Sequence, residues 1–231
     1  MRPAHTWHID SLRVGSLRPL GPRALPSGIQ KQAVAGPILL TSTGFAGDEQ
    51  GDRHHHGGPD KAVHLYPHDH YATWREEIGD RPILRSVGAF GENLSITGLS
   101  EVDVAVGDRF ALGGAIIEVS QGRQPCFRLN LRFKRPSMAS EMQLSGRTGW
   151  YYRVIQHGMV SPGDQLRLLD RLTPSWTIAR LHRTFFLNPL DREELRGVAA
   201  LAHLSERWRL VAQYRLQRGI VEDWTRRLKG S

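Results

Sequence analysis

Six histidines fall within seventeen residues of the run Gly47-Asp48-Glu49-Gln50-Gly51-Asp52-Arg53-His54-His55-His56-Gly57-Gly58-Pro59-Asp60-Lys61-Ala62, which continues through His64, His68 and His70. Imidazole and carboxylate are good ligands for zinc and non-haem iron. Neighbouring histidines on a loop seldom converge on one ion, so the spacing fits a solvated loop better than a closed metal site. His54, His55 and His64 leave a second metal, or a local pH effect, as an open question. His56 stands apart because Gly57 and Gly58 follow it. Glycines there can take positive φ and bring backbone N–H groups up to a ligand. A second motif, Phe90-Gly91-Glu92-Asn93-Leu94, is on its own a turn entering a strand. The third is Ser120-Gln121-Gly122-Arg123-Gln124-Pro125-Cys126-Phe127-Arg128-Leu129. Cys126, the one cysteine of the chain, is flanked by Arg123 and Arg128. Nearby cations favour the thiolate, the form that binds metals or attacks electrophiles. A buried structural thiol is the commonest fate of a free cysteine, and the segment alone leaves both readings open.

The elements that position these residues are short. Gly28–Val34, Ala62–Tyr66, Ala115–Ser120, Tyr151–Gln156 and Gln165–Leu169 read as strands, separated by turns such as Gly113-Gly114 and Ser161-Pro162-Gly163-Asp164. Many short strands with frequent turns point to a mainly β, barrel-like fold. One helix interrupts them, with Tyr71, Trp74 and Ile78 on one face and Gly79 as its stop. Around Cys126 the pattern is ambiguous. Pro125 can open a helix, whereas Phe127, Leu129, Leu131 and Phe133 alternate as in a strand. Beyond Asp170 the character changes. Helices are expected from Pro174, from Asp191, and from Ser205 to Gly219, so residues 1–170 read as one domain and 171–231 as a small three-helix extension.

Composition narrows the classes. At 39% hydrophobic and 23% charged residues the chain is globular rather than disordered. No apolar run approaches the roughly 20 residues of a membrane helix, and residues 1–20 lack a secretory pattern, so a cytoplasmic protein that does not engage a membrane is expected. The net charge of +8 lies mostly in residues 171–231, which hold 12 Lys/Arg against 6 Asp/Glu. A basic tail suits nucleic acid or an acidic protein. Trp176, Trp208 and Trp224 fall at helix-packing positions rather than as exposed stacking platforms, which argues against nucleic acid.

The motifs also occur together and in order: Gly28-Ile29-Gln30-Lys31-Gln32-Ala33-Val34, Gly47-Asp48-x-Gln50-x-Asp52, His56-Gly57-Gly58-Pro59-Asp60-Lys61-Ala62, Tyr66-Pro67, Phe90-Gly91-Glu92-Asn93-Leu94, Val106-Gly107-Asp108, Ser120-Gln121-x-Arg123-x-Pro125-Cys126 and Gly149-Trp150-Tyr151. As a set they resemble a MOSC domain of the YiiM type, and the helical tail resembles the three-helix extension of that group. The resemblance implies a β-barrel-like fold and a molybdenum cofactor (molybdopterin) whose protein ligand is Cys126. It also implies reduction of N-hydroxylated compounds such as 6-hydroxylaminopurine, a detoxifying activity. In that frame Lys31, Lys61 and Arg123 are expected at the pterin phosphate or the thiolate, with Gly57, Gly58 and Asn93 around the cofactor. His56 is expected as a proton source, and Glu92 and Asn93 as positioning groups for a small-molecule substrate. The chain has no Gly-x-Gly-x-x-Gly, haem or iron–sulfur fingerprint, so a separate reductase is the expected electron donor, steered by Arg207, Arg209, Arg215, Arg218, Arg226, Arg227 and Lys229. The alternative is a sulfur carrier in which Cys126 holds a persulfide.

Overall fold

The computed structural model describes residues 5–52 and 57–230. Seven strands close into a barrel: β1 (Thr6–Val14), β2 (Val63–Pro67), β3 (Leu94–Ile96), β4 (Arg109–Leu112), β5 (Ala115–Gly122), β6 (Trp150–Gln156) and β7 (Gln165–Asp170). The order around the barrel is β1–β3–β2–β6–β5–β4–β7, and β7 returns to β1 with Leu166 opposite Trp7. Only β2 and β3 run parallel, with Leu65 opposite Leu94. A parallel pair needs a long crossover. Here it contains α1 (His70–Ile78), which buries Tyr71 and Trp74 and stops at Gly79, where φ is 86°.

Four of the five expected strands correspond to β2, β5, β6 and β7. The fifth is a correction. Within Gly28–Val34 only Gln32–Ala33 is a strand, paired with the end of β1. The reason is steric. A Cβ at Gly28 would lie 1.8 Å from the Glu49 carbonyl oxygen, and one at Gly51 would lie 1.9 Å from that of Pro26. The two loops therefore cross in backbone contact, and the chain before Gln32 becomes a wall rather than a ladder.

The ambiguity at Cys126 resolves as a helix. The helix α2 (Arg128–Phe133) buries Leu129 and Phe133, which at i and i+4 share one face, and Lys134 ends it with φ of 50°. Those two side chains join Tyr66, Tyr71, Trp74, Phe90, Met138 and Met142 in a cluster that ties α1 to α2 and α3 (Met138–Ser145). Alternation alone misleads here because this helix lies against a second apolar layer.

The tail packs on the barrel through one continuous core. Ile178, Leu181, Phe185, Trp208 and Ala212 belong to the same cluster as Leu65, Phe110, Ile117 and Trp150. The helix α4 (Ile178–His182) begins after Thr177, three residues beyond Pro174, where the Thr177 hydroxyl caps it by accepting the Arg180 N–H at 3.1 Å. Asp191 caps α5 (Arg192–Ala199) through two backbone N–H groups. Ser205 precedes α6 (Glu206–Arg218), but its hydroxyl has no partner among the described residues. Gly219 ends α6, and a further helix, α7 (Thr225–Lys229), follows it outside the expected three.

Arg215 was expected on the surface and is instead buried. Its guanidinium donates to Glu222 at 2.6 and 2.9 Å and to the Phe185 carbonyl at 2.9 Å. Removing the carboxylate leaves a buried charge without its partner. Glu222→Ala should therefore lower unfolding free energy by about 2 kcal/mol, less than for a fully buried pair because Glu222 is a third exposed. Urea unfolding checks this, with Arg215→Met/Glu222→Ala expected to lose less than Glu222→Ala alone.

Candidate functional site

Cys126 lies where two spaces meet. An inner cleft of about 90 Å³ opens between the barrel mouth and the crossing loops of residues 27–31 and 48–52. An outer groove of about 440 Å³ runs between the barrel and the C-terminal segment. Both are lined by Asp52, Lys61, Cys126, Arg128 and Tyr151. Cys126 is 9% exposed, and its carbonyl accepts the Leu129 N–H at 2.9 Å, so the thiol is held on the first turn leading into α2.

Lys31 reaches the inner cleft, as expected, but its ammonium pairs with Asp48. Asp48 also accepts the Gly15 N–H at 2.7 Å and the Asn93 side-chain amide at 2.9 Å. Burial pushes the Lys31 pKa down, partly opposed by Asp48. The cation is therefore matched by Asp48 inside the wall, while its charge still bears on the His64 imidazole. Asn93 lines the cleft, yet both ends of its amide are bonded within the fold. Its oxygen accepts the His64 N–H at 3.0 Å, and its nitrogen donates to the Arg13 carbonyl as well as to Asp48. Glu92 does not reach the cleft and is corrected to a scaffold role. It is fully buried and accepts from the Tyr71 hydroxyl, Gly88 N–H and Phe90 N–H.

Two buried side chains in the cleft keep a polar atom without a hydrogen bond to any described residue: Arg123 Nη1 and His64 Nε2. Such atoms cost of order 1–3 kcal/mol each when left unmatched. The His64 ring lies close to the backbone of Gly91 and Thr148 and 4.9 Å from the Tyr151 ring. Burial first, and Arg123 second, push its pKa well below the usual histidine value, so it is a neutral imidazole. An anionic group in the cleft would accept from Arg123 Nη1.

The remaining expectations disperse. His56, with His54 and His55, lies outside the described residues. Gly57 and Gly58 line neither space; Gly58, with φ of 98°, turns the chain into the short 3-10 helix Pro59–Lys61. His68 and His70 turn to separate carboxylates, Asp10 at 3.3 Å and Glu101 at 2.7 Å. Arg227, expected on a docking face, is a clamp instead. It donates to the Pro125 carbonyl and to Gln143, both at 2.6 Å, and its own carbonyl accepts the Phe127 N–H at 2.8 Å. The last helix thus fixes the cysteine turn. Asp48 and Tyr151 stood inside quoted motifs without a role, and Arg227 had no motif to reveal it.

Lys61 lines both spaces, and its pKa is pushed down to about 8 by burial first and by Arg207 second. Between pH 8 and 10.5 the folded state then binds fewer protons at this site than the unfolded chain, so the lysine's contribution to stability rises with pH across that window. In cofactor-free protein the stability of wild type relative to Lys61→Met should climb from pH 8 to 10. A flat difference would contradict the depressed value.

The MOSC domain model matches residues 52–167, which include Lys61, His64, Asn93, Arg123, Cys126 and Tyr151. The YiiM-like, 3-alpha helix domain model matches residues 176–219. The chain is 40% identical over 209 residues to protein YiiM of Escherichia coli, covering 90% of this chain and 93% of that one. It is 42% identical over 160 residues to a Gibberella moniliformis protein named reductase, covering 69% of this chain and 28% of that longer one. The crystal structure of YiiM from Geobacillus stearothermophilus superposes with a TM-score of 0.77 at 32% identity, over 92% of this chain and all of that one. The chain therefore belongs to the family of MOSC-domain proteins of the YiiM type, a barrel with the 3-alpha helix extension.

Proposed function

We propose that the protein is a molybdenum-cofactor-dependent reductase that converts N-hydroxylated compounds, such as 6-hydroxylaminopurine, to the corresponding amines. One observation carries the reading. The single thiol stands between a cleft with two unmatched buried polar atoms and a groove rich in cations. A soft sulfur ligand beside donors for an anionic tail is the donor set that a molybdenum–dithiolene cofactor with a phosphate requires. Cys126 would hold the metal, with Arg123 and Lys61 facing the anionic groups. When bound, the cofactor supplies the two-electron, oxygen-accepting chemistry of the reaction.

The chain's own residues bind, orient and exclude water. The Lys31–Asp48–Asn93 network fixes one wall of the cleft, and Arg227 fixes the cysteine turn from the other side. Converting R–NHOH to R–NH2 and water consumes two electrons and two protons. Lys61, with a pKa of about 8, carries a proton at neutral pH at the junction of both spaces. His56 is a second proton source on the sequence reading. The electrons come from a separate reductase protein or a small reductant.

The test is metal analysis and turnover on protein made in a host that synthesises the cofactor. Bound molybdenum together with conversion of 6-hydroxylaminopurine to adenine is expected. A metal-free protein whose Cys126 carries sulfane sulfur would establish the sulfur-carrier reading in its place.

A further inference from the structure

The outer groove has features that the cofactor reading leaves unused. Five cations line it, Lys61, Arg128, Arg207, Arg226 and Arg227, against two carboxylates, Asp52 and Asp223. Arg128 and Arg227 are committed to backbone carbonyls of Pro26 and Pro125, and Asp223 accepts the Thr225 N–H. Arg207 and Arg226 are exposed, and neither forms an ion pair with a described residue. Arg207 lies near enough to Lys61 and Arg227 to depress the charged form of each, which marks positive charge left unbalanced around one opening. Phe127 and Tyr151 line the same groove and give it an aromatic wall beside which a planar base can lie. The groove therefore places a redox-capable thiol at one end, aromatic rings beside it and unpaired guanidinium groups along its side. Its cavity volume of about 440 Å³ falls within the roughly 300–1,000 Å³ of a typical small-molecule site.

Resting on the reductase reading above, we propose that the substrate enters as a nucleotide, an N-hydroxylated base carrying a phosphate monoester that Arg207 and Arg226 bind in the outer groove. Guanidinium is the side chain best suited to phosphate because it donates paired, charge-assisted hydrogen bonds. The inner cleft, where Arg123 presents its unmatched nitrogen, takes the anionic part of the cofactor, so each space has its own anion.

The experiment uses the cofactor-loaded protein and compares N6-hydroxyadenosine 5′-monophosphate with N6-hydroxyadenosine as substrates. The variants are Arg207→Ala and Arg226→Ala, with Arg207→Lys as the conservative control, and molybdenum content is measured for each. In parallel, calorimetry measures binding of the products, adenosine 5′-monophosphate and adenosine. The wild type is expected to prefer the monophosphate in kcat/KM, mainly through KM. Each alanine variant should erode that preference by about tenfold, the effect of one charge-assisted contact, and lysine should restore part of it. Calorimetry should show the same loss for the monophosphate alone. Equal losses on both substrates, or no preference in the wild type, would overturn the proposal. Loss of molybdenum in the alanine variants would assign these arginines to the cofactor's own phosphate and also overturn it, while the reductase reading stands. If neither substrate is turned over, the reductase reading fails, and calorimetry still decides whether the groove selects the phosphate.

Discussion

Cys126→Ala should abolish both molybdenum binding and reduction of N-hydroxylated substrates while leaving the protein folded. The side chain borders two open spaces and is 9% exposed, so its truncation widens an existing cleft rather than creating a sealed cavity. The stability loss is therefore expected to be about 1 kcal/mol or less. The functional loss is far larger, because no other residue of the chain supplies a thiolate. Metal analysis, turnover and urea unfolding on the same preparation separate the two effects. A variant that keeps its metal and activity but unfolds easily would make Cys126 a packing residue.

Lys31→Met is expected to be the most damaging single change to stability. Both partners of the Lys31–Asp48 pair are buried, at 7% and 2% exposure. Removing the ammonium leaves a carboxylate supported by the Gly15 N–H and the Asn93 amide but with no counter-charge. Breaking a buried pair from one side costs about 3–5 kcal/mol. The double variant Lys31→Met/Asp48→Asn should lose less than the sum of the single losses, since it removes the stranded charge as well. Denaturant unfolding of cofactor-free protein measures the coupling. Thiol alkylation against pH gives the contrast. If Lys31 acted on the thiolate rather than on Asp48, the alkylation profile would move while stability stayed nearly constant.

Some of this arrangement is written locally in the chain, and some is not. The strands around Ile117 and Tyr152 carry their own apolar patterns, and Gly79 and Gly219 terminate helices because each takes a positive φ. The Cys126 turn is visible as an Arg–Pro–Cys–Arg cluster. Its conformation is not, because the same Phe127–Phe133 spacing suits a strand until Tyr66 and Phe90 are known to lie beneath it. Gly28–Lys31 misleads in the same way. What forbids a strand there is the Glu49 backbone, a contact that no local pattern records. Glu92 shows a further limit. A carboxylate in a motif reads as chemistry until three donors, from Tyr71, Gly88 and Phe90, are found on it. The charge of the tail was legible as a sum but not as a distribution. Arg215 neutralises Glu222 in the interior, Arg227 clamps the cysteine turn, and Arg207 and Arg226 are left on the groove.

X-ray absorption at the molybdenum edge of the loaded protein tests directly whether Cys126 Sγ is the protein ligand of the metal. One sulfur scatterer at bonding distance beyond those the dithiolene supplies is expected. A spectrum that shows dithiolene sulfur alone, with the thiol of Cys126 still open to alkylation in the loaded protein, would contradict it.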